Sequence, residues 1–151
     1  MSLNSGVSIN DECVTSYKEF SLSRGKTKYM IFKLSDDKSE IVIDESGGEK
    51  DYEVFRNKLC DAKDSKGRPA PRYAVYDVEY ELGGGEGKRN KIIFISWVPE
   101  ESDRMLRMIY ASTREGLKTA LGPAASIHAD EKGDIEWNTV LYEASGGKAG
   151  K

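Results

Sequence analysis

The chain has 151 residues, of which 38% are hydrophobic and 32% charged, and its formal net charge is -3 at pH 7. This length suits one domain with a single core. The acidic balance argues against nucleic-acid binding, which needs a basic excess to neutralise phosphates. No apolar run approaches the roughly 20 residues that span a bilayer, so no membrane segment is expected.

The compartment is predicted from the N-terminus and the cysteines. The first residues lack the basic and apolar regions of a signal peptide. Cys13 and Cys60 are too few for a disulfide framework. We therefore expect free thiols and a cytoplasmic protein, with entry into the nucleus as an open question.

Hydrophobic patterning predicts one folded domain over residues 9–145, preceded by a flexible segment, 1–8, and followed by a disordered tail, 146–151. The first half of the domain is predicted to contain a helix, a hairpin and a second helix, over residues 11–20, 29–34 with 40–43, and 51–59. Asn10 or Asp11 is the expected cap of the first helix.

The second half is predicted to contain two long strands, a long helix, a short strand and a last helix, over residues 73–82, 91–98, 100–121, 125–129 and 134–144. Ser102 is the expected cap of the long helix. Alternation in the strand over 73–82 predicts a solvent-facing acidic row of Asp77, Glu79 and Glu81. The order of elements predicts an α+β fold, a mixed sheet of about five strands between helical layers (α/β/α).

The sequence offers no constellation for catalysis. His128 is the only histidine, so neither a nucleophile–base pair nor a zinc site is indicated. The glycine-rich stretch 83–87 departs from the P-loop pattern, because Leu82 stands where a glycine is needed and Arg89 where Ser or Thr is needed. We expect no catalytic residue, no metal and no cofactor. An unrecognised enzyme remains the alternative.

Two groups of residues indicate a binding surface instead. One is a basic cluster at a strand start, Lys88, Arg89 and Lys91. The other lies on the long helix and combines Arg and Met, which are enriched in protein interfaces: Arg104, Met105, Arg107 and Met108. From the pattern alone, core packing of the two methionines is an equally good interpretation.

Four strings, in order along the chain, carry a resemblance to a known family. They are Ser5-Gly6-Val7, residues 73–80 (YAVYDVEY), residues 88–97 (KRNKIIFISW) and residues 108–113 (MIYAST). Together they resemble the ADF/cofilin family, most closely its members in fungi and other unicellular eukaryotes. The resemblance covers almost the whole chain.

The resemblance implies an ADF-homology domain that binds actin monomers and filaments, prefers the ADP-bound form, and severs and depolymerises filaments. It implies a monomeric protein of the actin cytoskeleton, in the cytoplasm and also in the nucleus (nuclear matrix), for which phosphoinositides are a second ligand. It implies no cofactor. A coactosin-like or branch-remodelling relative that binds filaments without severing them is the alternative.

The resemblance also implies site residues. The surface for both actin forms would comprise Ser5, Gly6, Val7, Arg104, Met105, Arg107, Met108 and Ser112. The filament-specific surface would include Arg89 and Lys91, and Ser5 would be a phosphorylation site. The chain departs from the family at Met105, where a basic residue is usual, and in the loop over 61–71, which is longer than usual.

Overall fold

The computed structural model describes residues 6–150. Ser5, predicted to bind actin and to be phosphorylated, lies outside this part. The strands are β1 (Ser8–Ile9), β2 (Tyr29–Leu34), β3 (Glu40–Gly47), β4 (Arg72–Glu81), β5 (Lys88–Trp97) and β6 (Ala125–Ala129). The helices are α1 (Asp11–Leu22), α2 (Tyr52–Cys60), α3 (Arg104–Leu121) and α4 (Trp137–Ala144), with a 3-10 helix over Lys132–Ile135.

The strands form one mixed sheet in the order β1-β3-β2-β4-β5-β6. The two outer pairs, β1 with β3 and β5 with β6, are parallel, and the inner pairs are antiparallel. The predicted α+β class is confirmed. The sheet has one strand more than the five predicted from the sequence. The additional strand is β1, whose two residues are too few to show a strand periodicity in the sequence.

Helices cover both faces of the sheet. The buried cluster on one face joins side chains of α1 and α3 to alternate residues of the strands, such as Tyr73 and Val75 of β4. The cluster on the other face joins α2 and α4 to the intervening residues, such as Ala74 and Tyr76. β4 is therefore covered on both sides, which explains its almost continuous run of buried residues.

Two predicted caps have different outcomes. Asn10 caps α1 as predicted, because its side chain accepts a hydrogen bond from Glu12 N. The predicted cap at Ser102 is wrong: Asp103 caps α3, and the Ser102 hydroxyl is buried and donates to Pro99 O at 2.5 Å. The helix begins at Arg104 because residues 99–102 form a turn after β5.

The acidic row predicted on β4 is wrong at Asp77. Glu79 and Glu81 are exposed, but Asp77 is 3% exposed and accepts a hydrogen bond from Asn90 Nδ2 at 2.9 Å. Residues 134–144 were predicted as one helix, but the structure divides them between the end of the 3-10 helix and α4. No helix in residues 6–150 combines the length and the apolar character needed to cross a membrane.

Packed residues are found on both sides of the predicted domain boundaries. Val7 is 5% exposed, and Ala149 packs against the cluster under α4. The Ser145 hydroxyl accepts a hydrogen bond from Ala149 N at 2.9 Å, which holds Ala149 close to the end of α4. The flexible segment 1–8, the domain 9–145 and the disordered tail 146–151 stay predictions.

Candidate protein-interaction surface

The first half of α3 presents two methionines to solvent. Met105 is 56% exposed and Met108 is 59% exposed, whereas Leu106 and Ile109 turn inward and contact the core. The sequence left both locations open, and the structure excludes a core location. Exposed methionine is an adaptable apolar contact, so this face of the helix is suited to a protein partner.

Three polar residues flank these methionines. Arg104 is exposed, and Arg107 is half-buried with an Nε atom that makes no hydrogen bond within residues 6–150. Neither guanidinium is ion-paired with a carboxylate of the described chain. Ser112 is exposed and its hydroxyl donates to Ile109 O at 3.1 Å. The methionines and arginines together form what we call the α3 ridge: Arg104, Met105, Arg107 and Met108.

Buried tyrosines hold α3 against the sheet. The Tyr110 hydroxyl accepts a hydrogen bond from Leu34 N at 2.8 Å, and the Tyr73 hydroxyl donates to Tyr110 O at 2.5 Å. Burial raises the pKa of both phenols, so they stay neutral. The α3 ridge therefore stands on a helix whose inner face is fixed by packing and by hydrogen bonds.

The N-terminal residues reach the same side of the molecule. Gly6 is exposed and has a φ of +84°, which favours glycine. Val7 is buried in the same cluster as Tyr110, so its side chain is packed against the core. Ser8 N donates to Ser39 O at 2.9 Å at the start of β1. Of the two described N-terminal candidates, only Gly6 is open to solvent.

The predicted filament residues lie elsewhere. Arg89 and Lys91 are both exposed at the start of β5, and as alternate strand residues they share a face. Arg89 Nη1 donates to Lys88 O at 3.1 Å. From Lys91 to the end of β5, where the chain turns towards α3, the strand covers about 20 Å. The structure thus separates the filament candidates from the α3 ridge.

The described residues show no arrangement for catalysis. His128 Nδ1 lies 3.4 Å from Ser96 Oγ, with no nucleophile–base–acid chain. Burial raises the pKa of Cys13 to about 12 and that of Cys60 to about 11, so neither thiol is activated.

One acidic cluster, Asp130, Glu131 and Asp134, brings its carboxylates within 4.8 Å of one another. Asp134 Oδ2 already accepts from the backbone N–H of Asp130 and of Glu131. Those hydrogen bonds lower the pKa of Asp134. The cluster therefore has a structural role in shaping the 3-10 helix.

Sequence reasoning missed a cluster of lysines beside α3. A cleft of about 500 Å³ has among its walls the β2–β3 turn, the loop over 61–71 and the first turn of α3. We call it the lysine cleft, after Lys33, Lys38, Lys63 and Lys66. The basic content of the loop was visible in the sequence, but its position against the β2–β3 turn was not.

The family description "Cofilin/tropomyosin-type actin-binding protein" matches residues 6–145. The chain belongs to this family. It is 42% identical over 151 residues to the cofilin of Gibberella zeae, an alignment that covers 96% of this chain and 97% of that protein. It is 35% identical to the cofilin of Saccharomyces cerevisiae, with 95% of each chain covered.

Comparison with solved structures supports the same family and fold. The crystal structure of Streptomyces griseoflavus cofilin matches with a TM-score of 0.80 and 36% identity, covering 94% of this chain and 99% of that one. Human coactosin-like protein matches with a TM-score of 0.72, 92% coverage of this chain and 91% of that one, but 20% identity, which shows the shared fold alone. The expected family and the single ADF/cofilin fold are confirmed.

Proposed function

We propose that this chain binds actin monomers and filaments, and that it severs and depolymerises filaments to regulate actin turnover. The observation that carries the proposal is the α3 ridge, in which two exposed methionines alternate with arginines on a helix fixed from behind. Such a surface combines exposed apolar area with adjoining positive charge, and Met and Arg are both enriched in protein interfaces. Membership of an actin-binding family identifies the partner class.

Two separated surfaces account for the two actin forms. The α3 ridge and the N-terminal residues Ser5 and Gly6 would contact one actin subunit, with Ser112 at the margin, while the buried Val7 anchors this segment to the core. Arg89 and Lys91 would contact a second subunit, which is present only in a filament. A protein that binds the twisted filament more tightly than the relaxed one shifts the filament into the twisted state, which favours severing.

Replacing both filament candidates tests this division. Arg89→Ala with Lys91→Ala should weaken filament binding by about tenfold, because exposed charged contacts are each worth roughly 0.2–1 kcal/mol. Monomer affinity should stay within twofold. Lys26→Ala with Lys50→Ala removes two exposed lysines that lie outside β5 and controls for the loss of two positive charges. Equal losses for monomer and filament would refute the assignment.

The alternative is a coactosin-like or branch-remodelling protein that binds filaments without severing them. Both classes share the fold, so the fold does not separate them. Single-filament imaging does. Fragments that appear along a filament after addition of the protein support severing, and decoration without breaks supports the alternative.

Further parts of the proposal follow from the family. The chain would act without enzymatic activity or a cofactor, as a monomer, on the actin cytoskeleton of the cytoplasm and also in the nucleus. It would prefer ADP-bound actin and bind phosphoinositides. Phosphorylation of Ser5 would weaken actin binding by adding negative charge at the interface. Ser5→Glu should mimic this effect, and an unchanged monomer affinity would remove Ser5 from the site.

A further inference from the structure

The lysine cleft is built from two tight turns beside α3. In the loop over 61–71, a bridge joins Lys63 to Pro69, and Ala70 N donates to Ala62 O at 2.9 Å. The Asp64 side chain accepts from Lys66 N at 2.8 Å and from Arg68 N at 3.0 Å. The loop is therefore a folded hairpin that projects Lys63 and Lys66 from fixed backbone.

The β2–β3 turn has a similar construction. Asp37 Oδ1 accepts from the hydroxyls of Ser35 and Ser39, both at 2.6 Å, and from Ser39 N at 3.0 Å. These hydrogen bonds lower the pKa of Asp37 to about 2, so its carboxylate stays charged and engaged within the turn. Lys38 occupies the left-handed position of this turn, with a φ of +62°.

Charges in the cleft do not cancel. Arg68 is ion-paired with Asp64 and, at 3.7 Å, with Asp103, and a second arginine of the wall, Arg72, is paired with Asp44 at 3.1 Å. The four lysines that name the cleft make no ion pair with any carboxylate of residues 6–150. Asp36 is the remaining carboxylate of the wall, so the cleft keeps a positive excess.

The cleft is continuous with the α3 ridge. Asp103 and Leu106 line it, and these residues flank Arg104 and Met105 of the ridge in the chain. The ion pair of Arg68 with Asp103 ties the loop to the cap of the helix. A partner that covers the ridge would therefore bring its adjoining surface over the lysines.

We propose that the lysine cleft is a docking surface for a segment of actin that carries clustered carboxylates. The inference rests on the proposed function and extends it by a contact outside the residues that the family resemblance implies. Exposed lysines at the edge of an interface act mainly on the association rate, because they steer an oppositely charged partner before contact. The cleft thus sets the speed and the salt dependence of actin capture, while the α3 ridge supplies apolar contact.

Charge reversal tests the proposal. Lys63→Glu with Lys66→Glu should slow association with monomeric actin by about tenfold at low ionic strength, as measured by stopped-flow fluorescence of labelled actin. The difference should shrink as salt approaches about 1 M, where the screening length falls to about 3 Å. Lys63→Gln with Lys66→Gln, which removes the charges without reversing them, should give an intermediate rate.

Lys26→Glu with Lys50→Glu produces the same change in net charge away from the cleft and is the matched control. Equal slowing in this control would overturn the proposal, because net charge alone would then explain the rate. A variant that loses binding to anionic lipid vesicles but binds actin at the wild-type rate would also overturn it. If the unmodified chain failed to bind actin at all, the proposed function itself would be wrong.

Discussion

Truncation of Met108 should weaken actin binding while leaving the stability of the fold nearly unchanged. Met108→Ala removes the most exposed apolar side chain of the α3 ridge, which is 59% exposed. Since most of that side chain faces solvent, its removal leaves little cavity, and the free energy of unfolding should change by less than about 0.5 kcal/mol. Affinity for actin should change much more.

The size of that change follows from the exposed fraction. Full burial of a methionine side chain is worth about 1.5–3 kcal/mol. If actin covers the exposed 59% of Met108, the contact is worth roughly 0.9–1.8 kcal/mol. At about 1.4 kcal/mol per tenfold, the dissociation constant for monomeric actin should rise by about 5- to 20-fold.

Fluorescence titration of labelled monomeric actin measures this change, and thermal unfolding checks that the fold is kept. Leu22→Ala is the matched control, because Leu22 is 79% exposed on α1, away from the ridge. Its truncation should leave the dissociation constant unchanged. Wild-type affinity in Met108→Ala would refute the proposal that the ridge faces actin, and equal losses in both variants would show that no specific contact was removed.

Two predictions concern a buried tyrosine and a partly buried cysteine. Tyr110→Phe leaves Leu34 N without its acceptor and should lower the free energy of unfolding by about 1–3 kcal/mol, measured by urea titration. Tyr17→Phe is its control, because that hydroxyl makes no hydrogen bond within residues 6–150, and a similar loss there would contradict the argument. For Cys60, burial raises the pKa from the ordinary 9.0 to about 11. The raised pKa lowers the fraction of Cys60 present as thiolate: at pH 8 about one thiol in a thousand is ionised in the folded protein, against about one in ten at the ordinary pKa. Because the thiolate is the reactive form, alkylation of Cys60 should be roughly a hundredfold slower in the folded protein than in denaturant. Rapid alkylation of the folded protein would contradict this.

Much of the fold was predictable because the signals were local. The run over 29–34 is apolar and β-prone, and the structure places β2 at Tyr29–Leu34. The helix period in 11–20, preceded by Asn10, predicted α1 and its cap. These elements are specified by periodicity and by side chains that satisfy backbone groups of their own segment.

The errors arose where a side chain forms a hydrogen bond that the local pattern does not predict, within a turn in one case and between strands in the other. Ser102 is a good cap by type, but its hydroxyl is used in the turn that follows Pro99, and Asp103 takes the cap. Asp77 follows the acidic alternation of β4, yet it is buried, and Asn90 on β5 donates a hydrogen bond to its carboxylate. A single sequence does not reveal which side chain on a neighbouring strand will meet an alternating residue.

The sequence predicted which residues belong to the candidate site better than it predicted how those residues are arranged in space. The pattern left Met105 and Met108 undecided between core and surface, because helical spacing alone does not fix which face turns inward. Packing of Leu106 and Ile109 decides it. The proximity of Lys63 to Lys38 depends on how the loop folds against the β2–β3 turn, a contact between segments distant in the chain.

Co-sedimentation with actin filaments, combined with imaging of single filaments, tests the central claim most directly. The purified chain should pellet with filaments, raise the amount of actin left in the supernatant and produce visible breaks along filaments. Absence of the chain from the pellet, together with no effect on nucleotide exchange by monomeric actin, would contradict the proposed function.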